Sequence, residues 1–361
     1  MRELRTEAEI GNQLPWTQKE TNSSDGRDSY GLLPRARLRD VFVRKAPLIG
    51  ARVSSAARRG WVSPVEARVY LGIPYGDMAA EEERLLSSQS VAAKLAVLLR
   101  TTIARTLTPR HGLRYKRRPR IVSAEVDNIT IDEALAAMID APAGSRARVV
   151  YIVHPHALNL AAFNADFAQQ LTNADLVLPD GIGIRIAASL LGISMRHNLN
   201  GTDLLPLMCN AVANAKLPLV LIGGAPGVAE KCAENLQQET PGLQIGFAHH
   251  GYLDAEKSKE VAARVKAVGR CLVLVGMGSP VQERWAWQYL REAREATVVT
   301  VGGLFDFFSG RIPRAPVAWR ELGIEWLWRL RMEPRRLAKR YLIGNPLFLI
   351  VTLWQRIRGT T

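Results

Sequence analysis

Cysteine is scarce in this chain of 361 residues: Cys209, Cys232 and Cys271 are the three, without paired spacing and with apolar neighbours. They supply no disulfide framework and read as small buried hydrophobes in a reducing compartment. Long hydrophobic runs are missing as well. The longest, Tyr341 to Trp354, is interrupted by Gly344, Asn345 and Pro346. It is too short and too broken to cross about 30 Å of hydrocarbon, although it suits an interface. The first residues carry charges every few positions and no apolar h-region, so no secretory signal is expected. The six histidines lack metal-ligand spacing, and the pair His154 and His156 suits hydrogen bonding better than a metal. Asp-x-Asp, GxGxxG and P-loop patterns are also absent.

Positive charge is in excess, with 48 Lys and Arg against 34 Asp and Glu, net +14. Residues 1–118 hold 22 basic and 12 acidic residues, 119–310 hold 15 and 19, and 311–361 hold 11 and 3. A mildly acidic centre thus lies between basic flanks, which suit an anionic membrane surface or nucleic acid. No nucleic-acid-binding motif accompanies the charge, so nucleic acid is not an expected partner. Gly303 to Tyr341 is the densest stretch, with three tryptophans and eight arginines. Arginine offers planar bidentate donors for phosphate. The apolar tail Leu342 to Trp354 follows directly, and the combination points to a phosphorylated lipid.

Residues 1–60 are polar, arginine-rich and aperiodic, which predicts a poorly ordered extension. Residues 88–107 place Val91, Leu95, Leu98, Leu99, Thr102 and Leu107 near helical spacing, a basic amphipathic helix that suits a membrane or its own domain. Residues 114–120 read as a linker. From Ile121 onward strands and helices alternate. Strands are expected over 121–126, 147–153, 176–178, 217–222, 245–247, 271–275 and 298–301. Helices are expected over 133–139, 156–162, 167–171, 184–191, 204–213, 228–238 and 285–296, with Thr130 as an N-cap. This order predicts an α/β fold, a Rossmann-like parallel sheet with helices on both faces, followed by a basic C-terminal helical appendage. The expected domains are 1–118, 119–310 and 311–361. Ligands of such sheets bind beyond the carboxyl ends of the strands. That assigns the loops 154–159, 179–183, 223–227, 249–252, 276–283 and 302–306.

Several of these loops carry chemistry. Leu178-Pro-Asp180-Gly181-Ile-Gly183 puts one carboxylate at a strand end, where Asp180 serves either as a general base or as a helix cap. Ile222-Gly223-Gly224-Ala-Pro-Gly227 opens a helix and either holds a phosphate on its amides or is a plain turn. In Gly276-Met-Gly278-Ser-Pro-Val-Gln282-Glu283, glycines and proline fix the loop while Gln282 offers its amide to a base or sugar. Glu283 also suits the helix dipole. Asn200-Gly201-Thr-Asp203 reads as an N-cap turn, with Arg196 before it as a diphosphate contact or a surface arginine.

Together and in this order, these pieces resemble the WecG/TagA/CpsF family of bacterial glycosyltransferases. The matching strings are Asp127-Asn-Ile-Thr-Ile-Asp-Glu-Ala134, His156-Ala-Leu-Asn159-Leu-Ala161, Ala174 to Gly183, Asn200 to Leu204 and Gly276 to Glu283. They continue with Gly302-Gly-Leu-Phe-Asp306, Arg314-Ala-Pro316, Glu325 to Leu330 and Glu333 to Leu337. The resemblance runs from about Arg120 to Arg340 and implies an inverting, metal-independent, cofactor-free enzyme. Such an enzyme moves a sugar, commonly N-acetylmannosamine, from a UDP-sugar to a polyprenyl-diphosphate-linked saccharide for cell-surface polysaccharide. Asp180 takes the base position. The donor side falls on His154, Asn159, Gly181, Arg196, Gly201, Asp203, Gly223, Gly224, Gly276, Gly278, Gln282 and Glu283. The acceptor diphosphate falls on Arg314, Arg329, Arg336, Lys339 and Arg340 of the appendage.

Two departures stand out. His154 occupies a slot where many members carry Asn in Thr-x-Asn, and an arginine usually found three residues before Gly201 is Asn198 here. Relatives with UDP-glucose or UDP-uronic acid donors keep donor identity open. A dehydrogenase on the same sheet would need a dinucleotide fingerprint, and a non-enzymatic basic module would leave Asp180, Gln282 and Asp306 unused. The expected location is cytoplasmic, peripheral on the inner face of the plasma membrane, and a homo-oligomer is left open. Truncation after Gly310 is expected to leave a folded core without transfer.

Overall fold

The computed structural model describes residues 49, 62–71, 82–83, 86–87, 91–107, 113–140, 146–316, 319–320 and 323–359. The expectation of disorder over 1–60 lies outside them apart from Ile49, as does the expected helix start at 88–90. Two compact units divide the chain, residues 1–109 and 110–361. In the first, α1 (Glu66–Leu71) packs on α2 (Val91–Leu107). The buried Glu66 carboxylate accepts from Arg105 Nη2 at 2.9 and 3.0 Å. The buried face of α2 carries Val97, Thr101 and Ala104, whereas Leu95 and Leu99, from the apolar stripe that suited a membrane or its own domain, are exposed.

The second unit opens with β1 (Arg120–Ile121) and β2 (Ala124–Glu125), an antiparallel hairpin where one strand was expected. Val122 turns the chain at φ 57°. The turn is held from near the other end of the chain: Gln355 accepts from Val122 N at 2.8 Å and donates to Arg120 O at 3.0 Å. The expected linker is likewise tied down. Arg114 N donates to Gly192 O, Asn128 N donates to Arg117 O, and Asn128 Nδ2 donates to Lys116 O. These long-range bonds leave no sequence-local signal, so a basic run reads as linker when it is a bonded strip.

α3 (Ile131–Ile139) starts with a capping box, in which Thr130 Oγ1 accepts from Glu133 N and Glu133 Oε2 accepts from Thr130 N. Then follow β3 (Arg148–Val153), α4 (Pro155–Phe163), α5 (Ala165–Thr172), β4 (Leu176–Pro179), α6 (Ile182–Leu190) and α7 (Gly201–Asn214). The second half contains β5 (Pro218–Gly223), α8 (Val228–Glu239), β6 (Gln244–His249), α9 (Ala255–Val268), β7 (Leu272–Gly276) and α10 (Val281–Trp285). α10 continues as a π-helical turn, Ala286–Leu290, and β8 (Thr297–Thr300) and α11 (Leu304–Phe308) complete the core. Two expectations need correction. α9 was not anticipated, because its buried positions Ser258, Val261, Ala262 and Val265 are few beside its Lys, Glu and Arg surface. The helix expected over 285–296 begins at Val281 and ends at Leu290, where Ala293 and Ala296 turn the chain into β8.

The six strands are parallel in the order β4-β3-β8-β7-β5-β6. Alternate residues face opposite cores, as strand geometry requires. Val150 and Ile152 point to one core with residues of α3, α7 and α8, while Val149, Tyr151 and Val153 point to the other with α4, α5 and α6. Both faces are covered, which is why the strands are near-continuously apolar. The connection from β5 leads outward to β6 and that from β7 leads inward to β8, so a switch point falls between β5 and β7.

The appendage comprises α12 (Glu325–Met332), α13 (Pro334–Ala338), a π-helical turn Lys339–Ile343 and α14 (Gly344–Arg358). α14 packs on α4 and α6. Its Phe348 is 1 % exposed and belongs to the same apolar cluster as Leu158 and Ile184. No helix among the described residues is long and apolar enough to cross a membrane.

Candidate functional site

A cavity of about 1120 Å³ lies over the carboxyl ends of the strands and is closed on one side by the appendage. Asp180 lines it, directly after β4. Its N–H donates to Val153 O at 2.7 Å, and the next N–H, of Gly181, donates to Asn198 Oδ1 at 2.7 Å. The N-cap of α6 is Gly181, with no side-chain cap hydrogen bond, so Asp180 does not serve as one. Its carboxylate makes no hydrogen bond or ion pair among the described residues. Burial pushes its pKa up to about 7, and Arg340 and then Arg329 oppose that rise.

His154, at the end of β3, caps α4: its Nδ1 accepts from Ala157 N at 3.1 Å. The ring proton therefore sits on Nε2. Burial, with Arg340 and His156 adding to it, holds the imidazole neutral. Asn159 also lines the cavity. It donates from Nδ2 to Gly344 O at 2.7 Å, leaving a buried Oδ1 without a partner.

Beyond β5 and β7 the loops meet at closest backbone range. Gly223 has φ +154°, and a Cβ there would lie 2.3 Å from Gly276 O, so this position excludes any side chain. Gly224, Gly276, Gly278 and Gly201 line the cavity. Gln282 lines it too, yet its amide is engaged: Oε1 accepts from Gly302 N at 2.9 Å and Gly278 N at 3.2 Å. It stitches the β7 and β8 loops together. Glu283 is fully buried behind it and accepts from Gln282 Nε2 and Ser279 Oγ at 2.8 and 2.7 Å. Burial raises the Glu283 pKa.

Four cations of the appendage helices face the same space: Arg329, Arg336, Lys339 and Arg340. Arg336 pairs with Glu333 at 2.6 Å, while the other three make no carboxylate ion pair within 4.0 Å among the described residues. The Arg329 guanidinium stacks 4.9 Å from the Phe307 ring centre and approaches Gly303, where its Nη2 would lie 3.1 Å from a Cβ. Burial, with the charges of Arg329 and Arg336 adding to it, lowers the Arg340 pKa.

Arg196, Asp203 and Arg314 stand outside the cavity lining. Arg196 pairs with Glu133 at 3.2 Å and lies over the Tyr115 ring at 4.9 Å. Asp203 is buried, accepts from Asn200 Nδ2 and pairs with Arg314, with Arg320 at 3.8 Å. Those two residues join α7 to the start of the appendage. Lining residues without an assigned role include His156, Tyr252, Asp306 and Arg311. Tyr252 ends the 249–252 loop and is 74 % exposed. Asp306 pairs with Arg311 at 3.2 Å. Strand-end position was the available signal for Tyr252 and Asp306. Among the described residues no three His, Cys, Asp or Glu side chains form a metal-binding group.

A parallel sheet wrapped on both faces, with a cleft at its switch point, defines a Rossmann-like α/β protein. The sequence profile described as the glycosyl transferase WecG/TagA/CpsF family matches residues 119–361, and the chain belongs to that family. The chain is similar to the N-acetylglucosaminyldiphosphoundecaprenol N-acetyl-beta-D-mannosaminyltransferase of Bacillus spizizenii, with 31 % identity over 173 residues, 48 % of this chain and 66 % of that protein. It is also similar to the protein of the same name from Staphylococcus aureus strain MW2, with 30 % identity over 233 residues. Here 63 % of this chain and 89 % of the relative are covered. The chain thus spans just under two thirds of the first relative and most of the second.

Proposed function

We propose that this glycosyltransferase moves N-acetylmannosamine from a UDP-sugar to a saccharide carried on a polyprenyl diphosphate, with inversion at the anomeric carbon. The observation that carries the reading is the unpaired Asp180 carboxylate facing a cluster of appendage cations across one cavity. The names of the relatives support the sugar and the acceptor.

Asp180 takes the proton of the acceptor hydroxyl, whose oxygen attacks the anomeric carbon from the face opposite the diphosphate. The bond from that carbon to the diphosphate oxygen breaks, and UDP leaves with its electron pair. A carboxylate with a pKa near 7 is suited to this proton transfer, because it is both ionised and basic near neutrality. Guanidinium groups of the appendage helices stabilise the charge growing on the leaving group. His154, with its proton on Nε2, donates to an oxygen of the bound sugar. The exposed apolar residues of α14, Ile350, Leu353, Trp354 and Ile357, rest at the membrane surface that presents the acceptor.

A panel of UDP-sugars, assayed for UDP release with a polyprenyl-diphosphate-linked N-acetylglucosamine acceptor, tests the reading. UDP-N-acetylmannosamine is expected to be turned over at least tenfold faster than UDP-glucose or UDP-N-acetylglucosamine. Preference for another donor would replace the sugar assignment.

A further inference from the structure

We propose that a groove between α4 and the appendage holds the first isoprene units of the acceptor's polyprenyl chain. The proposal rests on the acceptor class given above and adds the path by which its lipid leaves the cleft. Four residues of α4 line the cavity at His156, Asn159, Leu160 and Phe163. Their spacing of three, four and seven places them on one helix face, about 10 Å from first to last. The facing wall is built the same way: Arg336, Lys339, Arg340, Ile343 and Leu347 recur at helical spacing and all line the cavity. Both faces run in one sense, from charged or polar groups beside Asp180 to apolar groups further out. The two walls are fixed to each other midway by the hydrogen bond from Asn159 Nδ2 to Gly344 O at 2.7 Å.

The outer end of the groove is apolar and open. Phe163 is 75 % exposed and Ile343 61 %. A phenylalanine so exposed on a helix whose Ala157, Leu158 and Ala161 are buried has no packing role within the domain. An amphiphile with an anionic head and an apolar tail matches this gradient. Its diphosphate meets Arg340 and Lys339, and its hydrocarbon lies between Phe163, Leu160, Ile343 and Leu347. The groove then runs on into the exposed apolar side of α14, so the chain passes from the cleft to the bilayer without crossing water.

Calorimetry on the full chain tests this without catalysis, using farnesyl diphosphate, inorganic diphosphate and farnesol as probes. Farnesyl diphosphate is expected to bind at least tenfold more tightly than inorganic diphosphate. The Phe163→Asp variant, changed at an exposed position, is expected to lose that advantage while binding inorganic diphosphate within twofold of wild type. Leu347→Asp is expected to act in the same direction. Equal affinity of wild type for the two phosphates, or an unchanged advantage in both variants, overturns the groove. Sugar transfer is read separately: tail-dependent binding without transfer to any acceptor keeps the groove and removes the proposed reaction.

Discussion

At the scale of the residue, Asp180 combines burial, an absent partner and two facing arginines, and each has a measurable consequence. A base must be ionised, so kcat/KM is expected to rise with pH through a limb near 7. Arg340 is the larger of the charges holding that pKa down. Arg340→Gln is therefore expected to move the limb upward by about one unit, read from the pH profile. Stability follows the opposite sign. The folded pKa is raised from 3.8 to about 7, so the native state keeps a proton that the unfolded chain has lost, and stability falls as pH rises through that window. Asp180→Asn removes this loss and is expected to melt several degrees above wild type at pH 8, the gap closing towards pH 4. Asp180 was legible in the sequence because proline, aspartate and glycine stand together at a strand end. Arg196 and Asp203 were not, because the groups that occupy them are remote: Glu133 is 63 positions from Arg196, and Arg314 is 111 from Asp203.

At the scale of the element, periodicity and caps made most of the core readable. The Thr130 capping box and the alternating strands are local features, and local features survive in a sequence read alone. The β1–β2 hairpin is a contrary case. Its turn depends on Gln355, 233 positions from Val122 and 235 from Arg120. Gln355→Ala leaves a backbone donor and acceptor without partners and is expected to cost about 1–3 kcal/mol, measured by urea unfolding. Gln355→Glu keeps the acceptor for Val122 N and is expected to lose less. α2 shows a second limit of periodicity: its apolar spacing left open whether Leu95 and Leu99 pack or face outward, and they are exposed while Val97, Thr101 and Ala104 pack.

At the scale of the whole molecule, the C-terminal fifty residues are part of the fold as well as of the site. Composition marks them as an arginine-rich appendage with an apolar tail, and truncation after Gly310 was expected to leave the core folded. Phe348 in the core and Gln355 on the hairpin argue otherwise. Losing a buried phenylalanine side chain alone costs about 3–5 kcal/mol. The truncated chain is expected to melt well below the full chain, and thermal denaturation followed by circular dichroism checks this. Activity in such a truncation therefore reports on folding as much as on the arginines, and point variants of Arg329 and Arg340 separate the two. The most direct measurement is transfer of labelled N-acetylmannosamine from its UDP ester to polyprenyl-diphosphate-linked N-acetylglucosamine, by wild type and by Asp180→Asn. The account predicts one disaccharide product with one UDP released per sugar, and a rate lower by about 10²–10⁴-fold in the variant. Undiminished transfer by Asp180→Asn, or no product with wild type, would contradict it.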